Sequence, residues 1–421
     1  MKGKAITVLV VSIALLSLWD WLFKSSLIGA GTTRMLWLFS ICSFLYALNL
    51  LSVDFEFEST YFKVLFSVFL LYQMILVIRG FSFSTKDLIP IFRESQNFWP
   101  FIIPLFIYFD KRFSNIVGLI QALYWVGLVF LVFNICYPSL LTNRVSAQNI
   151  IPGFAVGCGF VFMNARYLAN KKIYVSFLIL TMSALSYIYL ARRSAAFTII
   201  GFLIASYLLH TFCKSGKMIF QLFPLITGIG ILLFFKTDYI SNVLTKRLSE
   251  RILEDSRTEL VESFLYQAKD FMIFGKGMNG TYYYPMEGGL QEDGVLYYDE
   301  EYRNNIENGY LQLILTGGIV HIALFVLILL PAAFNGIIRS SNQFSKGCGV
   351  IILLWLIDMF FYGLPMLSIH YIIVWICIGI CYKVSIRSMS DDAIRKEFER
   401  YNDKISGSLL HKIDKSFGTS R

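Results

Sequence analysis

The sequence predicts an all-α polytopic integral membrane protein with about 12 transmembrane helices and one large external loop. Of its 421 residues, 56% are hydrophobic and only 15% are charged, and the mean hydropathy is +0.62. Such a composition leaves too little polar surface to cover a soluble globule of this length. The apolar residues also gather in runs of roughly 20, the length that crosses a hydrocarbon layer of ~30 Å.

Eleven apolar runs are long enough to cross a membrane. The first, 5–23, resembles a signal peptide but continues through Trp19, Asp20 and Trp21 without a small-residue cleavage site, so we expect it to be retained. A further run, 94–109, contains Pro100 and Pro104 and predicts a broken or re-entrant helix. The other runs are 34–51, 60–79, 115–141, 147–165, 173–191, 195–212, 218–235, 308–330, 347–363 and 364–382.

Charge distribution sets the predicted orientation. With both termini inside, the short inside loops carry eleven Lys or Arg, the short outside loops carry eight, and the tail from Lys383 adds nine. This bias agrees with the positive-inside rule, so the net charge of +9 reflects orientation and predicts no nucleic-acid partner. The predicted units are nine helices over 1–235, an external loop over 236–307, three helices over 308–382 and a cytoplasmic tail over 383–421.

The long loop has two parts. Residues 241–277 carry apolar side chains at helical spacing, which predicts one or two amphipathic helices on the membrane surface. Residues 278–305, MNGTYYYPMEGGLQEDGVLYYDEEYRNN, mix tyrosines, carboxylates and glycines. This mixture suits a sugar surface, and a solvated acidic loop with a few packing tyrosines is the alternative interpretation. In the tail, Ser390 is a candidate cap for a short amphipathic helix.

Arginines gather where several predicted helices meet the outer face. A guanidinium keeps its charge and can grip two oxygens at once, so this gathering predicts a site for a lipid-linked pyrophosphate. Snorkelling anchors at the interface are the alternative. The candidate residues are Arg79, Arg144, Arg192, Arg193 and Arg257, with Asn149 beside Arg144.

Two ionisable residues lie inside predicted spans. Asp358 and His370 fall toward the same outer face as the arginines. A charged Asp near the bilayer centre costs roughly 2.5 to 3.5 kcal/mol, so a partner or a watery cavity is expected. For Asp358, the alternative to a substrate contact is a structural ion pair.

Cysteine and acid patterns predict no metal and no cofactor. The seven cysteines lie in or beside apolar runs without metal-ligand spacing, as small core hydrophobes do. The outer segments also lack an Asp-x-Asp motif, which argues against a nucleotide-sugar donor.

Four stretches resemble the bacterial O-antigen polymerases and ligases, which are polytopic enzymes that handle undecaprenyl-linked glycans. They are NRVSAQNIIPGFAVG, YLARRSAAFTIIGFLIA, SRTELVESFLYQAKDFMIFGKGMN and NIENGYLQLILTGGIVHIALFVLIL, and they fall within residues 140–335. The resemblance implies a GT-C-like glycosyltransferase of the bacterial cytoplasmic (inner) membrane. It also implies arginines that bind the donor pyrophosphate, which carries over to Arg192 or Arg193, Arg257 and Arg144.

One departure from the family separates its two activities. The family loop commonly ends in His-Asn-x-Tyr/Phe-Leu, and the ligases rely on that histidine. This chain has Glu307 there, followed by Asn308, Gly309 and Tyr310, which favours a polymerase. Glu307 is the candidate group for hydrogen-bonding or deprotonating the acceptor, with Asn308 and Tyr310 as substrate contacts; helix capping is the alternative. On a continuous helix, His321 would lie about 20 Å deeper than Glu307.

The implied reaction transfers a growing glycan from undecaprenyl pyrophosphate to a sugar hydroxyl of the next lipid-linked repeat unit. Arginines offset the charge of the leaving group, so a metal is not required in principle. The expected partners are the undecaprenyl-pyrophosphate-linked glycan as donor and acceptor, membrane lipid, and a chain-length regulator protein. The alternatives are an O-antigen ligase that acts on lipid A-core, a flippase for lipid-linked oligosaccharides, and a non-catalytic assembly partner.

Overall fold

The computed structural model describes most of the chain apart from the first part of the long loop. The predicted span 218–235 and most of the first predicted amphipathic helix therefore lie outside the described residues. Those described are 2–25, 30–51, 53–54, 58–81, 91–138, 142–143, 150–190, 192–212, 256–283, 291–292, 295–296, 302–361 and 363–401.

Helices dominate the described residues. In addition to the numbered helices given below, a helix covers residues 391–401 at the end of the described chain. Two short antiparallel strand pairs lie in the long loop, Tyr282–Tyr283 with Tyr302–Arg303 and Gln291–Glu292 with Val295–Leu296. The helices are α1 (Lys2–Lys24), α2 (Ala30–Leu50), α3 (Thr60–Gly80), α4 (Trp99–Ile102), α5 (Phe113–Cys136), α6 (Gly157–Met163), α7 (Asn170–Tyr189), α8 (Arg193–Phe212), α9 (Ser256–Ala268), α10 (Gly309–Ile337), α11 (Gln343–Asp358), α12 (Ile369–Tyr382) and α13 (Val384–Arg387). The strands are β1 (Tyr282–Tyr283), β2 (Gln291–Glu292), β3 (Val295–Leu296) and β4 (Tyr302–Arg303).

Among the described residues, six helices are long and apolar enough to cross a membrane. They are α1, α2, α3, α5, α7 and α10, and three shorter apolar stretches, Trp99–Tyr108, Ala195–Thr211 and Ile369–Tyr382, accompany them. The helical class of the prediction is confirmed, and these helices are compatible with its membrane-spanning character. The number of twelve spans stays a prediction.

The run over 94–109 is broken at its two prolines. Pro100 lies in the first turn of α4, and Pro104 lies in the first turn of a 3₁₀ helix, Ile103–Tyr108. A proline has no N–H to donate, so it is tolerated where a helix begins and not in its middle. The 3₁₀ helix packs against α12 through buried side chains that include Ile103 and Ile107.

Helix α12 lies at the centre of the bundle. All 14 of its residues are buried, and it contacts α10, α11 and the 3₁₀ helix. Trp375 stacks on Phe69 at 5.6 Å and meets Phe325 edge-on at 6.0 Å. A helix that is apolar and buried all round has no lipid-facing stripe, which explains why its sequence shows no amphipathic pattern.

The bundle has two ends that carry different chemistry. At the first, which we call the loop end, α3 and α11 finish while α8, α10 and α12 begin, and Gly309 N–H donates to the Met359 carbonyl at 2.9 Å. At the opposite tail end, α10 and α12 finish while α3 and α11 begin, and Asn342 donates to the Ile386 carbonyl at 2.8 Å. All candidate site residues that the structure describes belong to the loop end or to the loop beside it.

Candidate functional site

Helix α10 is interrupted at the loop end. Gly318 has a φ of +67°, a left-handed conformation that a side chain would strain. In a continuous helix, Leu315 C=O would accept from Ile319 N–H, and Thr316 C=O would accept from Val320 N–H. The break releases these four backbone groups, and each must find another partner in a low-dielectric setting.

One segment of the long loop, residues 272–278, satisfies all four groups; we call it the docking segment. An irregular backbone within an apolar helix is tolerated where its polar groups find hydrogen-bond partners in the protein. Lys276 N–H donates to the Leu315 carbonyl at 2.8 Å, Gly277 N–H donates to Thr316 at 2.8 Å, and Ile319 and Val320 N–H donate to Met272 and Ile273 at 2.8 and 3.3 Å.

Glycines make this docking sterically feasible. A Cβ on Gly275 would lie 2.4 Å from the Gly317 nitrogen, and a Cβ on Gly318 would lie 2.2 Å from the Ile273 carbonyl carbon. Gly275 and Gly277 also have positive φ, at +59° and +93°. Gly275 and Gly318 are therefore the glycines at which the docking segment and α10 approach backbone to backbone, whereas Gly277 approaches the end of α3 at Gly80.

Arg79, at the end of α3, binds the docking segment. Its guanidinium donates to the Phe274 and Gly275 carbonyls, both at 2.9 Å, and Asn279 donates to the Gly80 carbonyl at 2.9 Å. Two of the five N–H donors of this arginine are thus engaged by backbone. Its predicted contact with pyrophosphate stays a prediction, and the visible role of the side chain is to attach the loop to α3.

Asn308 caps α10. Its Oδ1 accepts from the N–H groups of Tyr310 and Leu311 at 3.0 and 3.1 Å, and its amide donates to the Phe360 carbonyl at 2.8 Å. The Tyr310 hydroxyl donates to the Leu356 carbonyl at 2.9 Å. The structure thus places Asn308 in the capping role weighed as the alternative, and Glu307, directly before it, is exposed.

Asp358 and His370 are both buried at the loop end. Asp358 ends α11 and is hydrogen-bonded to Thr198 of α8. His370, in the first turn of α12, meets Trp355 edge-on at 4.7 Å and Phe202 at 5.3 Å. Asp358 Oδ1 and His370 Nε2 have no hydrogen-bond partner among the described residues, so each keeps one polar atom for a ligand or water.

The predicted arginines are described to different degrees. Arg192 directly precedes α8, is half-buried, and donates its backbone N–H to the Tyr187 carbonyl at 2.8 Å. Arg193 begins α8 and Arg257 is the second residue of α9, and only their backbone positions are described. Arg144 and Asn149 lie outside the described residues.

A small cavity that no sequence pattern predicted lies beside the break in α10. Its volume is about 20 Å³, room for about one water molecule. The glutamines supply donors and acceptors of no net charge, which suits a hydroxyl group. The lining residues are Gln73, Gln96, Pro100, Phe101, Gln312, Leu313, Thr316, His321, Pro365 and Tyr371.

Gln73 and His321 form a buried pair at this cavity. The Gln73 amide nitrogen lies 2.8 Å from His321 Nε2, and His321 Nδ1 lies 3.3 Å from the Thr316 hydroxyl. If the amide donates, Nε2 accepts and the ring proton is on Nδ1. Gln73 Oε1 then has no partner in the part of the chain that the structure describes, although Gln73 is only 4% exposed. If the amide were flipped, the Gln73 NH₂ group would instead be the group without a partner.

Gln312 connects the cavity with the surface near Glu307. Its Oε1 accepts from Ile306 N–H at 2.9 Å, and its amide donates to the Asn304 carbonyl at 3.1 Å. Asn304 in turn donates to the Glu94 carboxylate at 3.4 Å. A chain of hydrogen bonds therefore links the cavity-lining Gln312 through Asn304 to the half-buried Glu94.

The expected depth of His321 assumed a continuous helix, and this assumption is wrong at Gly318. Two sequence features could have indicated the break and the cavity beside it. They are the Gly317-Gly318 pair and Gln73, an amide in an otherwise apolar run. Neither feature shows which part of the chain it contacts.

No three or more His, Cys, Asp or Glu side chains within the described ranges converge where a metal ion could bind. No protein-family model, curated protein or solved structure matches this chain. The chemistry of the loop end is therefore inferred from its own residues.

Proposed function

We propose that the protein is a glycosyltransferase that polymerises undecaprenyl-pyrophosphate-linked repeat units at the outer face of the bacterial cytoplasmic membrane. The observation that carries the proposal is the composition of the loop end. There Arg192 directly precedes α8 and Arg193 begins it, the Glu307 carboxylate precedes α10, and a cavity of about 20 Å³ lined in part by glutamines lies beside the break in α10. A substrate with both a pyrophosphate and sugar hydroxyls needs this pairing of permanent cations with neutral hydrogen-bonding groups.

In the proposed reaction, an acceptor hydroxyl attacks the anomeric carbon of the donor glycan. The bond between that carbon and the pyrophosphate oxygen breaks, and the electron pair leaves with the pyrophosphate. Arg192, Arg193 and Arg257 would stabilise the charge that accumulates there, and Arg144 would also bind the pyrophosphate of the donor. The acceptor proton would pass to Glu307, whose exposed carboxylate can reach a substrate that approaches from the loop side.

A transporter of lipid-linked oligosaccharides is the second candidate, because a discontinuous helix such as α10 is a common feature of transporter binding sites. In those sites the broken helix offers its free backbone groups to the substrate. Here the four groups released at Gly318 are bound to the docking segment, which favours a structural role for the break. An O-antigen ligase remains the alternative within the same reaction class.

Deletion of the gene in its source bacterium separates these functions. Loss of a polymerase should leave single repeat units on the surface, whereas loss of a ligase should leave none on the lipid core and loss of a flippase should retain units inside. The Arg192→Ala Arg193→Ala Arg257→Ala variant should behave like the deletion. As a control, Arg395→Ala Arg400→Ala removes two tail arginines whose side chains are 43% and 62% exposed. Normal polymer from the triple variant at equal protein level would exclude the pyrophosphate site.

Glu307→Gln tests the acid–base role in the same assay. Loss of a general base typically lowers a rate by about 10²- to 10⁴-fold, so chain growth should nearly stop while protein level is unchanged. Glu262→Gln is the matched control, because Glu262 is an exposed acid on α9. Normal chain lengths with Glu307→Gln would remove Glu307 from the mechanism.

A further inference from the structure

A second, larger pocket lies at the tail end, far along α10 from the loop-end cavity. Its volume is about 390 Å³, within the range of ~300 to 1,000 Å³ typical of small-ligand sites. It opens between the first turn of α3, the last turns of α10 and the junction of α12 with α13. The polar side chains that line it include Ser59, Asn335, Arg339 and Arg387.

A proline in α10 shapes this pocket. Pro331 has no N–H and its ring crowds the carbonyl four residues earlier, so the Leu327 carbonyl loses its helical partner. The Tyr61 hydroxyl donates to that carbonyl at 3.4 Å, and the Tyr382 hydroxyl donates to the Ile328 carbonyl at 3.0 Å. The two hydroxyls connect α3 and α12 to α10 and thereby fix the pocket walls.

The pocket is positively charged. The Arg339 guanidinium lies over the Phe334 ring at 5.3 Å, and Arg387 donates through Nη1 to the Arg339 carbonyl at 3.4 Å. Arg387 Nε is buried without a hydrogen-bond partner among the described residues. Each guanidinium has five donors, so most of their hydrogen-bonding capacity is available to an anion.

The carboxylates nearby are engaged elsewhere. Glu58 accepts from the Ser385 N–H at 3.4 Å, and Asp54 pairs with Lys383. No ion pair of Arg339 or Arg387 with an acid is present in the described part of the chain. Within the described residues, the two arginines thus face the pocket without a counter-ion.

An apolar stripe leads from the pocket along α10. Leu330, Phe334 and Ile338 are spaced four residues apart, which places them on one face of the helix, and all three are exposed. Around a helix that crosses a membrane, such a face contacts acyl chains. The stripe and the arginines together provide an apolar and a cationic half for one amphipathic ligand.

We propose that this pocket binds the phosphate of an anionic membrane phospholipid, with Arg339 and Arg387 on the headgroup and the acyl chains along the α10 stripe. Basic pockets between transmembrane helices bind such headgroups through charge and hydrogen bonds. Ser59 and Asn335 would add neutral contacts to the headgroup oxygens. The site is independent of the glycan chemistry at the loop end.

Purified protein in a neutral detergent tests the proposal. Phosphatidylglycerol should raise the melting temperature more than phosphatidylcholine does, and native mass spectrometry should detect retained phosphatidylglycerol. Arg339→Ala Arg387→Ala should weaken that binding roughly tenfold or more. Arg395→Ala Arg400→Ala, which removes the same charge near the same end, should not change it.

Two results would overturn the proposal. One is equal retention of phosphatidylglycerol by the pocket variant and the wild type. The other is full stabilisation by inorganic phosphate alone, lost in the pocket variant, which would assign the site to a soluble phosphate. Because Arg387 is half-buried, the exposed Arg339→Glu alone is measured as well and should weaken phosphatidylglycerol binding by about fivefold or more.

Discussion

At the scale of single residues, Lys111 is a buried cation. It lies between the 3₁₀ helix and α5, is 3% exposed, and its Cε occupies the space that a Cβ on Gly379 would need. Burial lowers the pKa of Lys111 to about 8, while the nearby Asp54 acts to raise it. At neutral pH the protein therefore carries a desolvated charge at its tail end.

This pKa predicts how stability depends on pH. The unfolded chain binds the Lys111 proton up to about pH 10.4, so between pH 8 and that value the unfolded state is more protonated and stability rises with pH. Below pH 8 the full penalty persists, on the order of 3 kcal/mol. Lys111→Met should raise the melting temperature at pH 7. Its stability should also no longer rise between pH 8 and about pH 10.4.

Thermal melts in detergent at several pH values measure both effects. Lys171→Met is the control, because Lys171 is exposed at the start of α7. An unchanged rise of stability with pH in Lys111→Met would show that another group is responsible.

Residue roles differ in how well the sequence predicts them. The hydrogen bonds of the Asn308 cap join residues within three positions of each other. Helix capping could therefore be predicted from the sequence as the alternative role of Asn308. The pair of Gln73 and His321 joins residues 248 positions apart. No local pattern encodes such a contact, and Gln73 could be recognised only as an amide that needs some partner.

At the scale of elements, the docking segment and α10 form one unit. Gly318→Ala should destabilise it, since the new Cβ would lie 2.2 Å from the Ile273 carbonyl carbon and φ is positive. We expect a loss of about 2 kcal/mol or more. A lower melting temperature and faster proteolysis of residues 256–283 would report it.

Gly31→Ala is the matched control for that variant, because a Cβ there has nothing within 4 Å. Equal melting temperatures for wild type and Gly318→Ala would mean that the break tolerates a side chain and that its glycine is not required.

Elements were predicted by length and hydropathy, and those signals have a limit. They placed α10 after the long loop because a helix that crosses lipid must be apolar over its whole length. They did not show that α10 is broken, since a Gly-Gly pair also occurs in intact membrane helices. The break follows from a segment 40 residues earlier, which hydropathy cannot pair with it.

At the scale of the whole molecule, the helix over residues 391–401, which we call the tail helix, is part of the bundle. The Asp391 carboxylate accepts from the Tyr167 hydroxyl, from Gln343 N–H at 2.8 Å and from Arg166 at 3.0 Å. Phe398 is fully buried between aromatic rings of α5, α11 and a second, short 3₁₀ helix, Ala165–Tyr167. The predicted cap is present, because Ser390 accepts from Ala393 N–H at 3.3 Å.

Asp391→Ala should destabilise the protein by about 2 to 4 kcal/mol, because three partners lose a charged acceptor at once. Asp392→Ala removes the same charge from the adjacent residue, whose side chain is 81% exposed, and should change little. Thermal melts of both variants compare them directly. Equal melting temperatures would show that the tail helix is not fastened through Asp391.

The docking segment also imposes an order on biosynthesis. It leaves the ribosome about 40 residues before the break in α10, which at ~5 to 20 residues per second is a delay of several seconds. Until α10 arrives, the segment lacks its partners, and α10 alone would carry unsatisfied backbone groups into lipid. Insertion of α10 and closure of the long loop are therefore a single event, so this loop cannot mature before α10 is made.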